Sequence, residues 1–254
     1  MTPVLWAGLG AVLGAIIGSF LATLILRWPE GRSVIAGRSA CDHCGATLGP
    51  LDLIPLLSFL LRRGRCRRCG GKIDPLHFSV EFACAVIGGG AFAVAPGLEG
   101  AGWAVLGWGL LTLAVLDWQH FWLPNALTFP LIFLGLTLGM WTTDVMMADR
   151  LIGAATGYGA LMAIALAYRA WRGREGLGLG DAKLLAAIGA WFGWQALPFV
   201  LLIASVFGLI IVAISTIGGR EITGKTQVPL GTFLCIAAIP GWATMLVLTN
   251  HGAG

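Results

Sequence analysis

Eight apolar runs divide this chain, and each contains at most one charged residue: roughly 4 to 26, 80 to 97, 102 to 117, 124 to 142, 151 to 169, 183 to 196, 198 to 217 and 229 to 249. A helix crossing a bilayer needs about 20 mostly apolar residues, and fewer where neighbours bury its ends. The runs therefore predict an all-α polytopic membrane protein with about eight transmembrane helices. With 57% hydrophobic and 11% charged residues, a soluble globular domain is excluded. The first run has no basic residue before it and is too long for a cleaved signal peptide, so it is expected to remain as an anchor. The sixth is short, and Gln195 to Pro198 is expected to turn it tightly into the seventh.

Charge fixes an expected orientation. With the N-terminus outside, every lysine and arginine falls in one set of loops except Arg150, which leaves 15 of 16 on the cytoplasmic side. Arg38, Arg174, Arg220 and Lys225 belong to that set, as do the five arginines between Arg62 and Arg68. Topology and anionic lipid headgroups account for the net charge of +4, so membrane lipid is the expected partner of these loops and nucleic acid is not.

Three regions follow: a first transmembrane helix over 1–28, a soluble segment over 29–79 and a seven-helix membrane core over 80–254. Gly10, Gly14 and Gly18 repeat every four residues in the first helix, lining one face with small residues so that another helix can pack closely. In the soluble segment, Cys41-Asp42-His43-Cys44 and Cys66-Arg67-Arg68-Cys69 form two C-x2-C knuckles around a 21-residue spacer. Four thiolates so paired suit tetrahedral Zn2+. A reducing cytoplasm argues against two disulfides, and a redox site would need only one such pair. The metal would be structural, because about 50 residues cannot bury a large core. Four cysteines already complete the shell, so His43 is left out of it. The spacer from Pro50 to Leu61 is apolar and amphipathic, as in a segment lying on the membrane surface or against the helices. Cys84 and Cys235 fall within spans and read as ordinary buried residues.

The chemistry-bearing feature lies at Gly176-Leu177-Gly178-Leu179-Gly180-Asp181-Ala182-Lys183, where a carboxylate and a lysine stand between a glycine-rich turn and an apolar run. Three glycines in five positions suggest a backbone that bends close to something, with Asp181 at the bend. A second acid, Asp117, ends the third run. Asp181 as a helix N-cap would explain the acid alone, but neither the glycines nor Lys183. The two aspartates are expected to meet in space, near the cytoplasmic face. Glu81 reads as a cap at the start of the second span, Asn125 as a cap of the fourth and His77 as an interfacial residue. Val228-Pro229-Leu230-Gly231-Thr232-Phe233 begins the last span near the same face and is read as part of the site wall.

Taken together and in order, these pieces resemble the type IV prepilin leader peptidases, many of which double as N-methyltransferases and which belong to the GxGD group of aspartic intramembrane proteases. The matching residues are Gly18-Ser19-Phe20-Leu21 with Arg27-Trp28-Pro29, the two cysteine pairs around Ile54 to Ser58, Asp117 with Leu123-Pro124, Gly178 to Leu184 and Val228 to Gly231. The resemblance implies catalytic roles for Asp117 and Asp181, with Gly178, Gly180 and Lys183 forming the active-site turn. It implies cleavage of prepilins or pseudopilins after a glycine at the cytoplasmic face of the inner membrane. It also implies methylation of the new N-terminal residue, usually phenylalanine, by S-adenosylmethionine; no spacing in the chain locates a methyl-donor site. Asn125 and Asp52 depart from the family pattern, where aspartate and asparagine are common. The competing readings are an ion- or proton-coupled transporter using Asp117 and Asp181, and a structural scaffold whose cysteine ribbon docks partners.

Overall fold

The computed structural model describes residues 2–34, 39–173, 178–218 and 227–251, with side chains as far as residue 244. Gly176, Arg38, Arg174, Arg220 and Lys225 lie outside these residues. No strand occurs among the described residues, only two isolated bridges, Ala40 with Thr47 and Arg65 with Lys72. The helices are α1 (Pro3–Arg27), α2 (Leu57–Leu61), α3 (Pro75–Val94), α4 (Leu98–His120), α5 (Asn125–Thr137), α6 (Met147–Arg172), α7 (Leu179–Phe192), α8 (Leu197–Ile217) and α9 (Leu230–His251). Among the described residues, five meet the length and apolarity of a membrane crossing: α1, α3, α4, α6 and α8 with the short turn before it. Of the other expected spans, α5 with its 3-10 extension and α9 over Leu230–Thr244 are shorter apolar helices, and α7 has 14 residues.

The chain forms two units, Met1–Trp108 and Gly109–Gly254. In the first, α1 begins at a Thr2 cap followed by Pro3, and α3 at an Asp74 cap followed by Pro75, where proline has no N–H to lose. The small-residue face of α1 packs on α3. A Cβ at Gly10 would collide with the Gly88 carbonyl, one at Gly14 with the Cys84 carbonyl, and one at Gly18 with Glu81 Cα at 2.7 Å. The glycine spacing thus lets two backbones touch, as the sequence predicted. Because α3 starts at Pro75, Glu81 lies inside the helix and is not its cap. Its buried carboxylate instead accepts the Leu56 N–H at 2.7 Å. Leu56 sits at φ 61, a region strained for a non-glycine residue, in a tight turn closed by Leu57 N–H to Pro55 O. Glu81 therefore holds the apolar spacer to α3, and Phe59 stacks on Phe78 beside it.

In the second unit, α7 is the inner helix, packed by α5, α6 and α9. From Asp181 to Phe192 every residue is buried except part-buried Lys183, so its pattern is apolar all round. Glycines again permit contact: Gly153 and Gly189 would each strike the other's backbone if they carried a Cβ. Arg169 and Arg172 end α6 beside a left-handed Gly173 cap, where cations and glycine both favour termination. Gly193, at φ 78, and a 3-10 turn over Trp194–Ala196 lead from α7 into α8, the expected hairpin.

Candidate functional site

Asp117 and Asp181 come together, both buried, from different helices. Asp117 lies in the last turn of α4. Asp181 is the third residue of α7, whose N-cap is Gly178, so Asp181 does not cap its helix in the ordinary sense; its carboxylate reaches back towards the Gly178 N–H. The start of α9 completes the arrangement. Thr232 N–H donates to Asp117 Oδ2 at 2.7 Å, and Thr232 Oγ1 lies 3.1 Å from the same oxygen. The Gly231 backbone lies close to both carboxyl groups. Cys235, one turn further along α9, is buried in the field of both acids.

The glycines work by their size here. Gly178 has φ −72, and Gly180, inside α7, is absent from the positive-φ residues. The expected backbone bend at unusual angles is therefore not what these two supply. A Cβ on Gly180 would stand 2.8 Å from Leu123 Cβ, and one on Gly231 would stand 2.8 Å from Leu123 Cδ1 and 3.0 Å from Asp117 Oδ2. Leu123, on the α4–α5 connection, fills the space that both glycines leave. Lys183 turns elsewhere: its Nζ donates to Asn125 Oδ1 at 2.7 Å and lies 5.6 Å from the Phe129 ring centre. Asn125 is thus a tie between α5 and α7, and Pro124 is the N-cap of α5. Leu123 and Thr232 were not legible as individual contacts of the acids; the pointers were the Leu123-Pro124 pair that the resemblance singles out and the reading of Val228 to Phe233 as part of the site wall.

The first unit carries the four-cysteine cluster. The Sγ atoms of Cys41, Cys44, Cys66 and Cys69 lie within 4.8 Å of one another, with Cys41 and Cys69 at 3.9 Å. Tetrahedral zinc, with Zn–S of about 2.3 Å, would set its sulfurs about 3.8 Å apart. All four cysteines are free of disulfides. Backbone N–H groups of Arg68 and Gly71 donate to Cys66 and Cys69 sulfur, each at 3.4 Å, the supporting contacts that metal thiolates require. The N–H groups of Cys69 and Arg68 pull the Cys66 thiol down to about 6. The Gly71 N–H draws Cys69 down as well, but Cys44, burial, Cys66 and Cys41 push it up to about 11. Four thiols this close ionise together only around a cation, so the donor set fits a metal ion. His43 is not among the clustered ligands; its Nε2 lies 3.0 Å from Lys72 O.

Residues 12–94 match the bacterial peptidase A24 N-terminal domain, and residues 104–213 match the type IV leader peptidase family. A prepilin leader peptidase/N-methyltransferase of Burkholderia pseudomallei (strain 1026b) is 40% identical over 219 residues, 85% of this chain and 69% of that protein. The chain belongs to the type IV leader peptidase family. Other relatives carry the same name: one of Aeromonas hydrophila is 39% identical over 84% of this chain and 73% of its own length, and one of Klebsiella pneumoniae is 40% identical over 80% and 92%. No solved structure matches the chain. Membership of this family, with five helices apolar and long enough to cross a bilayer, makes the chain a multi-pass membrane enzyme, a peptidase whose relatives are named for N-methyl transfer as well.

Proposed function

We propose that this enzyme removes the leader from type IV prepilins or pseudopilins after a glycine, with Asp117 and Asp181 as its catalytic pair. The observation that carries the reading is two buried carboxylates, brought together from helices far apart in sequence at the first turn of α9, where the Thr232 N–H donates to Asp117 Oδ2 at 2.7 Å. Two such acids do not both ionise at small cost, so they hold one proton between them and titrate as a pair. The ionised carboxylate takes a proton from water as it attacks the scissile carbonyl, and the protonated one hydrogen-bonds to the carbonyl oxygen. Gly178 leaves the Asp181 carboxylate uncrowded, since a Cβ there would stand 3.2 Å from its Oδ2, and the Lys183–Asn125 tie holds the turn. The new N-terminal residue is then methylated, with S-adenosylmethionine as the donor of the methyl group.

The reading extends to placement. The enzyme sits in the bacterial inner membrane with its N-terminus outside, and with the cysteine segment and the aspartates towards the cytoplasm, as the distribution of lysine and arginine supports. Cys41, Cys44, Cys66 and Cys69 would hold a structural Zn2+ that stabilises residues 29–79. The test is mass spectrometry of a prepilin-like substrate, with glycine before phenylalanine, incubated with purified protein and S-adenosylmethionine. Cleavage after glycine with one added methyl mass is expected, and Asp117→Asn and Asp181→Asn should each abolish it. Cleavage by both variants in folded form would overturn the aspartyl assignment, and proton flux across vesicles without cleavage would favour a transporter.

A further inference from the structure

The two aspartates sit in unlike surroundings. Asp117 belongs to α4 but stands at the N-terminus of α9, receiving the Thr232 N–H at 2.7 Å with the Gly231 N–H beside it. The free N–H groups of a helix's first turn, and the positive end of its dipole, favour an anion there. Asp181 reaches back to the start of its own helix, with the Gly231 backbone near it, and among the described residues no hydroxyl bonds to it. The Thr232 hydroxyl supplies the difference. It has one proton and two acceptors, Ala114 O at 2.9 Å and Asp117 Oδ2 at 3.1 Å. While Asp117 is ionised, the proton points to Oδ2. Once Asp117 carries a proton, the hydroxyl turns to Ala114 O and accepts from the carboxyl group. Asp117 thus gains or loses a proton without leaving a buried donor unpaired.

We propose that Asp117 is the member of the pair that takes the proton from water, that Asp181 donates to the scissile carbonyl, and that Thr232 is the positioning residue that sets this order. The assignment rests on the aspartyl reading above. The water oxygen bonds to the carbonyl carbon while its proton passes to Asp117. The carbonyl π electrons move to oxygen, which takes the Asp181 proton. On collapse the C–N bond breaks, the leaving nitrogen takes the proton from Asp117, and a hydroxyl proton of the diol returns to Asp181 as C=O re-forms. Among the described residues, the titratable groups facing Asp117 are Asp181 on α7 and Cys235 on α9. Helices α5 and α8 carry none, Lys183 is held by Asn125, and His120 on α4 itself is exposed.

The experiment compares Thr232→Val, which keeps shape and N–H but loses the hydroxyl, with Thr232→Ser, which keeps the hydroxyl. Full-length purified protein is assayed on the prepilin-like substrate across pH, with Asp117→Asn and Asp181→Asn alongside. Thr232→Val should lower kcat about tenfold or more with KM unchanged, since a hydrogen bond to a charged group is worth about that factor. The acidic limb of its kcat/KM profile should move up by about one pH unit. Thr232→Ser should restore both, and Thr232→Ala carries the expectation of the valine variant if that one fails to fold. A wild-type profile in Thr232→Val, or a serine variant as impaired as valine, overturns the assignment. If the aspartate variants are dead while Thr232→Val is normal, only the role of Thr232 and the order of the pair fail. Active aspartate variants refute the aspartyl reading itself.

Discussion

Replacing Arg150 with methionine tests how the peptidase core is held together at the end of α7 remote from Asp181. Arg150 is wholly buried, and among the described residues no carboxylate pairs with it. Its guanidinium instead serves backbone. Nε donates to Val145 O at 3.1 Å, Nη1 to Trp191 O at 2.7 Å and Ala190 O at 3.1 Å, and Nη2 to Gly139 O at 2.7 Å and Thr143 O at 2.9 Å. Ala190 and Trp191 close α7, where the last carbonyls have no partner inside the helix. Gly139 O keeps the N–H groups of Thr142 and Thr143 after the substitution, and Trp191 O keeps the Thr143 hydroxyl. The carbonyls of Val145, Thr143 and Ala190 lose the donor that Arg150 gives them, and Gly135 O loses a longer contact at 3.3 Å. At about 1 kcal/mol for each buried acceptor left without a donor, the loss is about 3 kcal/mol. For a chain of this size that lowers Tm by about 6–12 °C. Tryptophan fluorescence during heating in detergent reads it. Arg150→Lys should recover less than half, because an ammonium cannot span acceptors arranged for a planar fork. A fall of less than about 2 °C for Arg150→Met would refute the reasoning.

Gly180→Ala should lower both Tm and cleavage: its Cβ meets Leu123 Cβ at 2.8 Å, an atom fixed to the backbone, and overpacking of this kind costs about 1–3 kcal/mol. Trimming the neighbour in Gly180→Ala/Leu123→Ala should recover part of the Tm loss. Metal analysis of the purified protein should find one zinc per chain; chelation should release it, and limited proteolysis should then cut between residues 39 and 74 while the remainder stays intact. Cys66→Ser should do the same without a chelator, and unchanged protection would count against a structural metal.

Length and apolarity were enough to read an all-helical membrane chain, and the four-residue glycine spacing was enough to read a close helix contact on that face of α1, though not that α3 makes it, because both depend on a local period that one helix face makes plain. The two C-x2-C pairs were legible for a similar reason, since metal geometry constrains spacing along the chain. Glu81, Asn125 and Arg150 were not. Each looks like a cap or a loop charge in the sequence, and each turns out to bind a partner outside its own element: Leu56 N–H, Lys183 Nζ, and carbonyls at the end of α7 among others. Arg150 was the one exception to the charge asymmetry, and its burial removes it from the solvated charges on which that rule depends.

The sequence alone determined which residues could carry the chemistry: two aspartates at the ends of apolar runs, four paired thiols and a family's motifs in order. Tertiary structure decided their environment. Only folding brings Thr232, 115 residues from Asp117 along the chain, within 2.7 Å of its carboxylate. Only folding sets Leu123 between Gly180 and Gly231, so that glycine acts there by size and not by backbone angle. The physical reason is one of range. Helical period and ligand spacing are local properties of a chain, whereas a buried charge is stabilised by whichever donors the packed helices bring to it.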